Sequence, residues 1–175
     1  MLEMKDRHAA LLHKIVDVDE AKKRLGIWRM GGLDIVFTNG CFDILHKGHV
    51  SYLAKAASLG NRLVLGLNTD ASVKRQGKGE NRPVNDEEAR ATVLAALNFV
   101  DLVVLFNEDT PLDLIQALEP NVLVKGADYD AEIEDENDAK YIVGSKEVKA
   151  NGGVVETIVL EDGYSTTSLI EKLKA

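Results

Sequence analysis

The stretch that decides the fold runs from Thr38 to His49 and reads TNGCFDILHKGH. An apolar run over residues 33–37 enters it, and a helical pattern beginning near His49 leaves it. A strand, a Gly-rich turn and a helix in this order direct backbone N–H groups and a helix N-terminus towards an anion. Gly40 and Gly48 permit close approach of the backbone, where a side chain would obstruct it. The stretch therefore predicts a site for nucleotide phosphates.

His46 and His49 are the candidate catalytic side chains of this stretch, and Lys47 lies between them. Because the histidines are three residues apart around Gly48, both can face one ligand from the first helical turn. Two other interpretations are open for the pair: zinc ligation, for which no third His or Cys lies nearby in sequence, and simple capping of the helix. The position of the motif between a strand and an amphipathic helix favours the phosphate site.

Composition is typical of a single globular domain. The 175 residues are 45% hydrophobic and 29% charged, with a formal net charge of −8. This acidic balance argues against general nucleic-acid binding, and basic residues near Gly-rich segments favour small anionic substrates. Cys41 is the only cysteine, so no internal disulfide is expected, and no apolar run approaches the ~18 residues of a membrane span. Without an apolar leader pattern, the expected location is the cytoplasm.

Alternating strand and helix patterns predict an α/β fold of the Rossmann-like, doubly wound type. We expect a mostly parallel five-stranded sheet with helices on both faces and with strands near residues 33–37, 62–67, 101–106, 121–125 and 154–160. Residues 1–31 predict a helical segment, in two pieces, that packs on the main domain of residues 32–175. Ligands bind such sheets beyond the carboxyl ends of the strands, where the strand order reverses. The apolar N-terminal helices also make a homodimer an expectation.

Local signals predict where several helices begin. Asp17, with Glu20 three residues later, fits a capping box. Asn85 precedes three acidic residues that suit a first helical turn, so it is the expected cap there. Thr110-Pro111 is typical of an N-cap followed by a proline at the first helical position.

Two separated signatures give a resemblance to a known superfamily. The residues His46 to His49 resemble the HxGH motif of the nucleotidyltransferases, and Ser165-Thr166-Thr167 resembles their second signature at the start of the last helix. Further segments narrow the resemblance to the heptose-1-phosphate adenylyltransferases: NTDASVKR (68–75), NRPV (81–84), EDTP (108–111) and LVKGADY (123–129). In many bacteria this nucleotidyltransferase domain follows a sugar kinase, and the resemblance implies a stand-alone form of it here.

The resemblance implies transfer of AMP from ATP to D-glycero-D-manno-heptose 1-phosphate, giving ADP-heptose and pyrophosphate for lipopolysaccharide core synthesis. The implied partners are ATP and a sugar 1-phosphate, with neither nucleic acid nor membrane, and Mg²⁺ is expected as the ATP counterion. The sugar phosphate would attack the α-phosphorus in line, so catalysis would consist of positioning and charge stabilisation.

The same resemblance implies roles for individual residues. His46, His49 and Lys47 are the expected catalytic residues, with the histidines stabilising charge at the α-phosphorus. A larger set is expected to bind the nucleotide: Thr38, Asn39, Gly40, Phe42, Gly48, Asn68, Lys125, Gly126, Ser165, Thr166 and Thr167. The expected substrate-binding residues are Asp43, Lys74, Arg75, Arg82, Asp128 and Tyr129. No dedicated metal site is expected; Asp43 is the candidate nearest Mg²⁺, with orientation of a histidine and capping of the turn as its alternative roles.

One segment departs from the family pattern, and two other functions are open. Residues 130–140 look like an acidic insertion, interpreted either as a solvated loop or as a border of the sugar site. A cytidylyltransferase acting on glycerol or ethanolamine phosphate would share both signatures. Such relatives often carry Arg-Thr before the Gly-x-Ser-Thr-Thr element, where this sequence has Glu161-Asp162. A regulatory module that binds a nucleotide without catalysis is disfavoured by the intact histidines and hydroxyl residues.

Overall fold

A computed structural model of the protein describes residues 6–77, 79, 81–161 and 163–174. Its strands are β1 (Ile15–Val16), β2 (Ile35–Gly40), β3 (Arg62–Asn68), β4 (Leu102–Phe106), β5 (Val122–Gly126) and β6 (Val154–Ile158). Its helices are α1 (Arg7–Leu12), α2 (Val18–Met30), α3 (Lys47–Ala57), α4 (Asp70–Arg75), α5 (Glu87–Ala95), α6 (Leu112–Leu118), α7 (Ser145–Ala150) and α8 (Thr166–Lys174). Within these ranges the strands form one parallel sheet in the order β1-β4-β3-β2-β5-β6.

Helices cover both faces of the sheet, which confirms the predicted fold class. On one face, Leu53 of α3 and Leu94 of α5 are buried against the strands. On the other face, Leu25 of α2, Ile115 of α6 and Val148 of α7 form a second buried cluster. Two covered faces explain why the central strands are nearly continuous apolar runs rather than alternating ones. No helix in the described ranges is long and apolar enough to cross a membrane.

The predicted number of strands was wrong, because the described sheet has six and not five. The additional strand is β1, which lies inside the segment predicted to be helical. Ile15 and Val16 pair with Val103 and Val104 of β4. Two residues are too short to produce an alternating pattern, so only the sheet edge supplied by β4 makes this strand. The predicted boundary between an N-terminal segment (1–31) and a main domain (32–175) stays a prediction. Residues 1–5 of that segment and residue 175 of that domain are among those outside the described ranges.

The structure corrects two of the predicted helix starts. Asp17 caps α2 as predicted, since its carboxylate accepts the N–H of Glu20 at 2.8 Å. Asn85 does not cap α5; Asp86 does, by accepting the N–H of Ala89 at 2.8 Å. The cap position of α6 is Pro111 and has no side-chain hydrogen bond, so Thr110 is not a cap. In both cases the helix begins one residue later than the turn signal indicated.

The strand order places a crevice at the centre of the sheet. From β2 the chain continues to β3 and β4 on one side, and it then returns to β5 and β6 on the other. The order therefore reverses between β2 and β5, which end at Gly40 and Gly126. In open parallel sheets, ligands bind at the carboxyl ends of the strands on either side of such a reversal.

Candidate active site

A cavity of about 400 Å³ opens at the carboxyl ends of β2 and β5, a volume suited to a small-molecule ligand. The elements around it come from distant parts of the sequence: the end of β2, the first turn of α3, the end of β5 and the start of α8. The predicted site residues that line it are Asn39, Gly40, Phe42, His46, Gly48, His49, Asn68, Lys125, Gly126, Asp128, Tyr129, Ser165 and Thr166.

His46 and His49 lie side by side at the start of α3. Their rings stack with centroids 3.8 Å apart and planes 16° from parallel. Nδ1 of His46 accepts the backbone N–H of His49 at 3.3 Å, so His46 caps the helix. A neutral imidazole that accepts at Nδ1 carries its proton on Nε2, which leaves one N–H donor for a ligand. The capping and phosphate-binding interpretations of this residue are therefore compatible.

Burial holds both imidazoles in their neutral form when no ligand is bound. Desolvation lowers the pKa of His46. Desolvation, followed by the neighbouring charge of His46, lowers the pKa of His49 to about 4, while the backbone of Ile44 opposes this fall. Nδ1 of His49 is buried without a hydrogen-bond partner of normal geometry. An anion in the cavity would favour the protonated forms and so raise both pKa values.

Gly48 gives His46 the space it occupies. A Cβ at Gly48 would lie 3.0 Å from Cβ of Tyr164 and 3.1 Å from Nδ1 of His46. The ring of Tyr164 faces the ring of His46, with centroids 6.3 Å apart. Because Gly48 has no side chain, the start of α3 can pack against both His46 and Tyr164 at the cavity.

Phe42 adopts a strained backbone conformation beside the histidines. Its φ of 42° lies in the left-handed region, which costs a bulky residue about 1–3 kcal/mol. Its ring meets His49 edge-on at 5.3 Å and lies over Gly40, where a Cβ would be 3.1 Å from Cε2 of Phe42. The buried guanidinium of Arg90 donates to the carbonyl of Cys41 at 2.7 Å and holds this turn. Strain of this kind is typical of functional turns.

The N-terminus of α8 forms another wall of the cavity. Ser165 caps this helix, because its Oγ accepts the N–H of Ser168 at 3.0 Å. Ser165 and Thr166 line the cavity, whereas Thr167 is exposed and does not. The start of α3 and the start of α8 thus both border one cavity, and helix N-termini favour negative charge.

The ends of β3 and β5 add polar groups to the cavity. Nζ of Lys125 donates to Oδ1 of Asn39, and it lies 5.7 Å from the ring centroid of Tyr129. Asn68 is buried and donates to Oγ of Ser72 at 3.0 Å. Lys125 is the one lysine among the described residues that line the cavity, and it gives the lining a positive charge.

Several predicted site residues lie away from the cavity lining. Thr38 is fully buried, and its Oγ1 is 2.8 Å from the hydroxyl of Tyr52 within the core. Lys74 and Arg75 lie at the exposed end of α4, where Arg75 pairs with Asp109 at 2.6 Å. Lys47 lies at the rim, mostly exposed, and pairs with Glu161 at 2.7 Å. None of these predicted residues lines the cavity in this structure.

Asp43 and Arg82 form a buried ion pair beside the site instead of lining it. Oδ1 of Asp43 accepts the N–H groups of Val84 at 2.7 Å and Asn85 at 3.0 Å, and Oδ2 accepts from Arg82. Nδ2 of Asn85 also donates to the carbonyl of Asp43 at 2.7 Å. Four side-chain and backbone donors therefore hold residues 82–85 against the turn. Because both carboxylate oxygens are engaged, Asp43 does not fit a metal-ligand role. The described residues also contain no cluster of three His, Cys, Asp or Glu side chains suited to a metal ion.

Sequence reasoning missed part of the cavity lining. The additional lining residues are Cys41, Tyr52, Gln76, Leu160, Glu161 and Tyr164. Tyr164 and Glu161 flank Gly163 of the second signature, so their proximity to that motif was a usable signal. Cys41 is buried and also lines the cavity. Tyr52 gave no sequence signal, because helical spacing places it on an ordinary core face.

The acidic segment over residues 130–140 forms a surface loop of turns. The N–H of Asp130 donates to the carbonyl of Lys140 at 3.0 Å and closes the loop. Glu136 pairs with Lys146 at 2.6 Å. Most of its residues are exposed, and none of them lines the cavity.

A parallel sheet that brings a histidine pair and two helix N-termini to one central cavity has the layout of a phosphate-binding α/β domain. The chain belongs to the cytidylyltransferase-like family, whose model matches residues 37–172. The relationship to nucleotidyltransferases predicted from the two signatures is thereby confirmed at the level of this family.

Comparisons with individual proteins agree with the family. The chain is 55% identical over 154 residues to the bifunctional protein HldE of Nitrobacter hamburgensis, and the aligned region covers 88% of this chain and 30% of that protein. It is also 55% identical over 162 residues to the bifunctional protein HldE of Caulobacter sp. strain K31, and that aligned region covers 93% of this chain and 31% of that protein. The chain thus spans about 30% of the length of these curated relatives. A solved structure, the lipopolysaccharide core biosynthesis protein of Thermoplasma volcanium, aligns with a TM-score of 0.57 at 28% identity, covering 77% of this chain and 100% of that one.

Proposed function

We propose that this chain is an adenylyltransferase that transfers AMP from ATP to D-glycero-D-manno-heptose 1-phosphate, releasing pyrophosphate and ADP-heptose. The observation that carries the proposal is the cavity that the stacked histidines and the N-terminus of α8 line together. The family relationship supports nucleotidyl transfer. The choice of a heptose rests on the resemblance of the signature segments, and the similarity to a lipopolysaccharide core biosynthesis protein agrees with it.

The cavity offers donors where a triphosphate would need them. Ser165 and Thr166 supply hydroxyl and N–H groups at the start of α8, and these suit the β- and γ-phosphates. His46 and His49, at the adjacent start of α3, suit the α-phosphate. Lys125 lines the same cavity at the end of β5, where its charge would offset part of the triphosphate charge.

The reaction needs no protein nucleophile. A phosphate oxygen of the sugar phosphate attacks the α-phosphorus, the bond from that phosphorus to the oxygen bridging the β-phosphate breaks, and pyrophosphate leaves. Charge increases on the oxygens of the α-phosphate during this step, and the imidazole N–H groups stabilise it. In this proposal Lys47 reaches from the rim to the incoming phosphate or the leaving pyrophosphate. Mg²⁺ enters only as the counterion of ATP, held by phosphates and water, since Asp43 does not fit a ligand role.

The test is pyrophosphate release with Mg²⁺, using ATP or CTP against heptose 1-phosphate or glycerol 3-phosphate. We expect release with ATP and the heptose alone. Release only with CTP and glycerol 3-phosphate would replace this proposal by the cytidylyltransferase considered from the sequence. ATP binding without release from any pair would favour the regulatory module. Omitting the sugar phosphate gives the background hydrolysis in each series.

A further inference from the structure

Glu161 connects two elements of the cavity that are far apart in the sequence. Its Oε1 accepts the hydroxyl proton of Ser51 at 2.6 Å, and its Oε2 pairs with Nζ of Lys47 at 2.7 Å. Lys47 and Ser51 lie one turn apart on α3, so the carboxylate bridges two positions on the same face of that helix. We name the three residues Lys47, Ser51 and Glu161 the Glu161 clamp.

The clamp matters because the segment that follows Glu161 has little apolar anchorage. Over the described residues 163–170, which include the first half of α8, no residue is buried. Tyr164 adds a contact to α3, with its ring 5.3 Å from Nζ of Lys47 and its Cβ over Gly48. Loosely packed segments open locally at low free-energy cost. The fastening of this segment to α3 therefore depends on the clamp and on Tyr164.

We propose that Glu161 is a positioning residue, which fastens the N-terminus of α8 to α3 and so holds Ser165 and Thr166 at the phosphate end of the cavity. This inference rests on the proposed function, because it assigns the phosphates to the α8 wall. Only three residues lie between Glu161 and Ser165, so loss of the clamp displaces the helix start directly. Misplaced donors bind a triphosphate less well, since helix N-termini act within one turn.

Loss of the clamp is expected to change the KM values of the two substrates differently. The clamp acts on the wall assigned to the β- and γ-phosphates of ATP, so its loss raises the KM for ATP. Of the clamp residues, only Lys47 is assigned to the second substrate, and Glu161→Ala keeps the Lys47 charge, so the KM for the sugar phosphate is expected to change less than the KM for ATP. A general loss of stability would not produce this division between the two KM values.

The first experiment is hydrogen exchange of the full chain without nucleotide. In Glu161→Ala the hydrogen-bonded amides of residues 168–170 are expected to exchange about five- to twentyfold faster than in the wild type. Glu161→Gln keeps an acceptor for Ser51 and loses the ion pair, and Ser51→Ala loses only the hydrogen bond, so both give smaller increases. Glu156→Ala is the matched control, because Glu156 is an exposed glutamate of β6 outside the clamp.

The second experiment is the affinity for ATP alone, measured by calorimetry on the same variants. We expect Kd to rise about fivefold or more in Glu161→Ala and to stay at the wild-type value in Glu156→Ala. Unchanged exchange at residues 168–170 in Glu161→Ala would overturn the proposal, and so would equal acceleration in the amides of β2 and β3. Exchange in the free chain does not depend on the reaction. Absence of pyrophosphate release by the wild type would therefore count against the proposed function and not against the clamp.

Discussion

The rings of His46 and His49 stack at 3.8 Å, although both residues are assigned to a site that attracts anions. Two protonated imidazoles at this separation would repel each other, and burial adds to the cost of charging them. The free protein resolves this conflict by keeping both rings neutral, with the pKa of His49 lowered to about 4. We expect a bound triphosphate to reverse this balance, so that the protonation of the pair would report on occupancy of the cavity.

The pKa of His49 is expected to rise when ATP binds. In the free protein its imidazole should titrate near pH 4, because desolvation disfavours the charged ring. A polyanion beside the ring should raise the midpoint by about one pH unit or more. Carbon–proton NMR spectra of the imidazoles, recorded with and without ATP, measure both midpoints, and the exposed His13 provides a reference signal. Equal midpoints in the two titrations would show that the phosphates do not lie at this pair.

The stability of the free protein should fall as the pH drops below the ordinary histidine pKa. Between pH 6.5 and about 4 the unfolded chain binds a proton at His49 that the folded protein excludes. The stability of the protein with His49 neutral is therefore fully present above pH 6.5, and part of it is lost as the pH falls towards 4. After allowance for partial solvent access, we expect a loss of up to about 2 kcal/mol. Urea unfolding at pH 7 and pH 5 measures it. His49→Gln should show a shallower dependence than the wild type; an identical slope contradicts the assignment.

Gly48→Ala should lower activity more than stability. The added Cβ meets Tyr164 and His46 at 3.0 and 3.1 Å, so the imidazole or the tyrosine must move. We expect kcat to fall about tenfold or more, since small misplacements of catalytic groups are costly. Gly26→Ala is the matched control: it lies within α2 with nothing within 4 Å of the added Cβ, and it should gain about 0.5–1 kcal/mol. Wild-type kcat in Gly48→Ala would show that the packing at this glycine is not needed.

The hydroxyl groups of Thr38 and Tyr52 should act as one structural pair. Tyr52 also donates to the carbonyl of Val124 at 3.2 Å, and burial raises the pKa of its phenol to about 12. Thr38→Val and Tyr52→Phe should each lower the unfolding free energy by about 1–2 kcal/mol. The double variant should lose less than the sum, because the contact is shared. Additive losses would place the two hydroxyl groups in separate interactions, and a large change of ATP affinity in Thr38→Val would restore its predicted binding role.

Asp43→Asn should weaken the fold without changing the dependence on Mg²⁺. The amide cannot pair with Arg82, so a buried guanidinium loses its counter-charge, at a cost of about 3 kcal/mol. Thermal unfolding measures this loss. Activity titrated with Mg²⁺ should give the wild-type half-saturation value, because this carboxylate is not a ligand. A large shift in that value would return Asp43 to the metal role considered from the sequence.

Most of the fold could be read from local patterns. The strands near Ile35, Leu63 and Val103 are apolar runs bounded by turn residues. The topology of open parallel sheets then predicts a ligand site at the carboxyl ends of these strands. The strand at Ile15 could not be predicted, because two residues become a strand only when β4 provides an edge. The N-cap of α5 is Asp86 and not Asn85, whose side-chain amide donates instead to the carbonyl of the remote residue Asp43.

The site was predictable to the extent that it follows from motifs. The histidines, Gly48, Lys125 and Ser165 line one cavity as their signatures indicated. The basic residues were harder to place, since charge alone does not say what a long side chain reaches. Arg75 pairs with an exposed carboxylate, and Arg82 with a buried one, each more than 30 residues away in sequence. Contacts of this kind exist only in the folded chain.

The most direct test of the proposed reaction is a single turnover with ATP labelled at the α-phosphate and an excess of heptose 1-phosphate. We expect the label to move to a nucleotide sugar while unlabelled pyrophosphate leaves. We also expect His46→Ala and His49→Ala, still folded by circular dichroism, to slow this transfer by about 10²–10⁴-fold. Transfer at the wild-type rate in both variants would contradict the role of the pair, and label that stays in ATP with the wild-type protein would contradict the reaction itself.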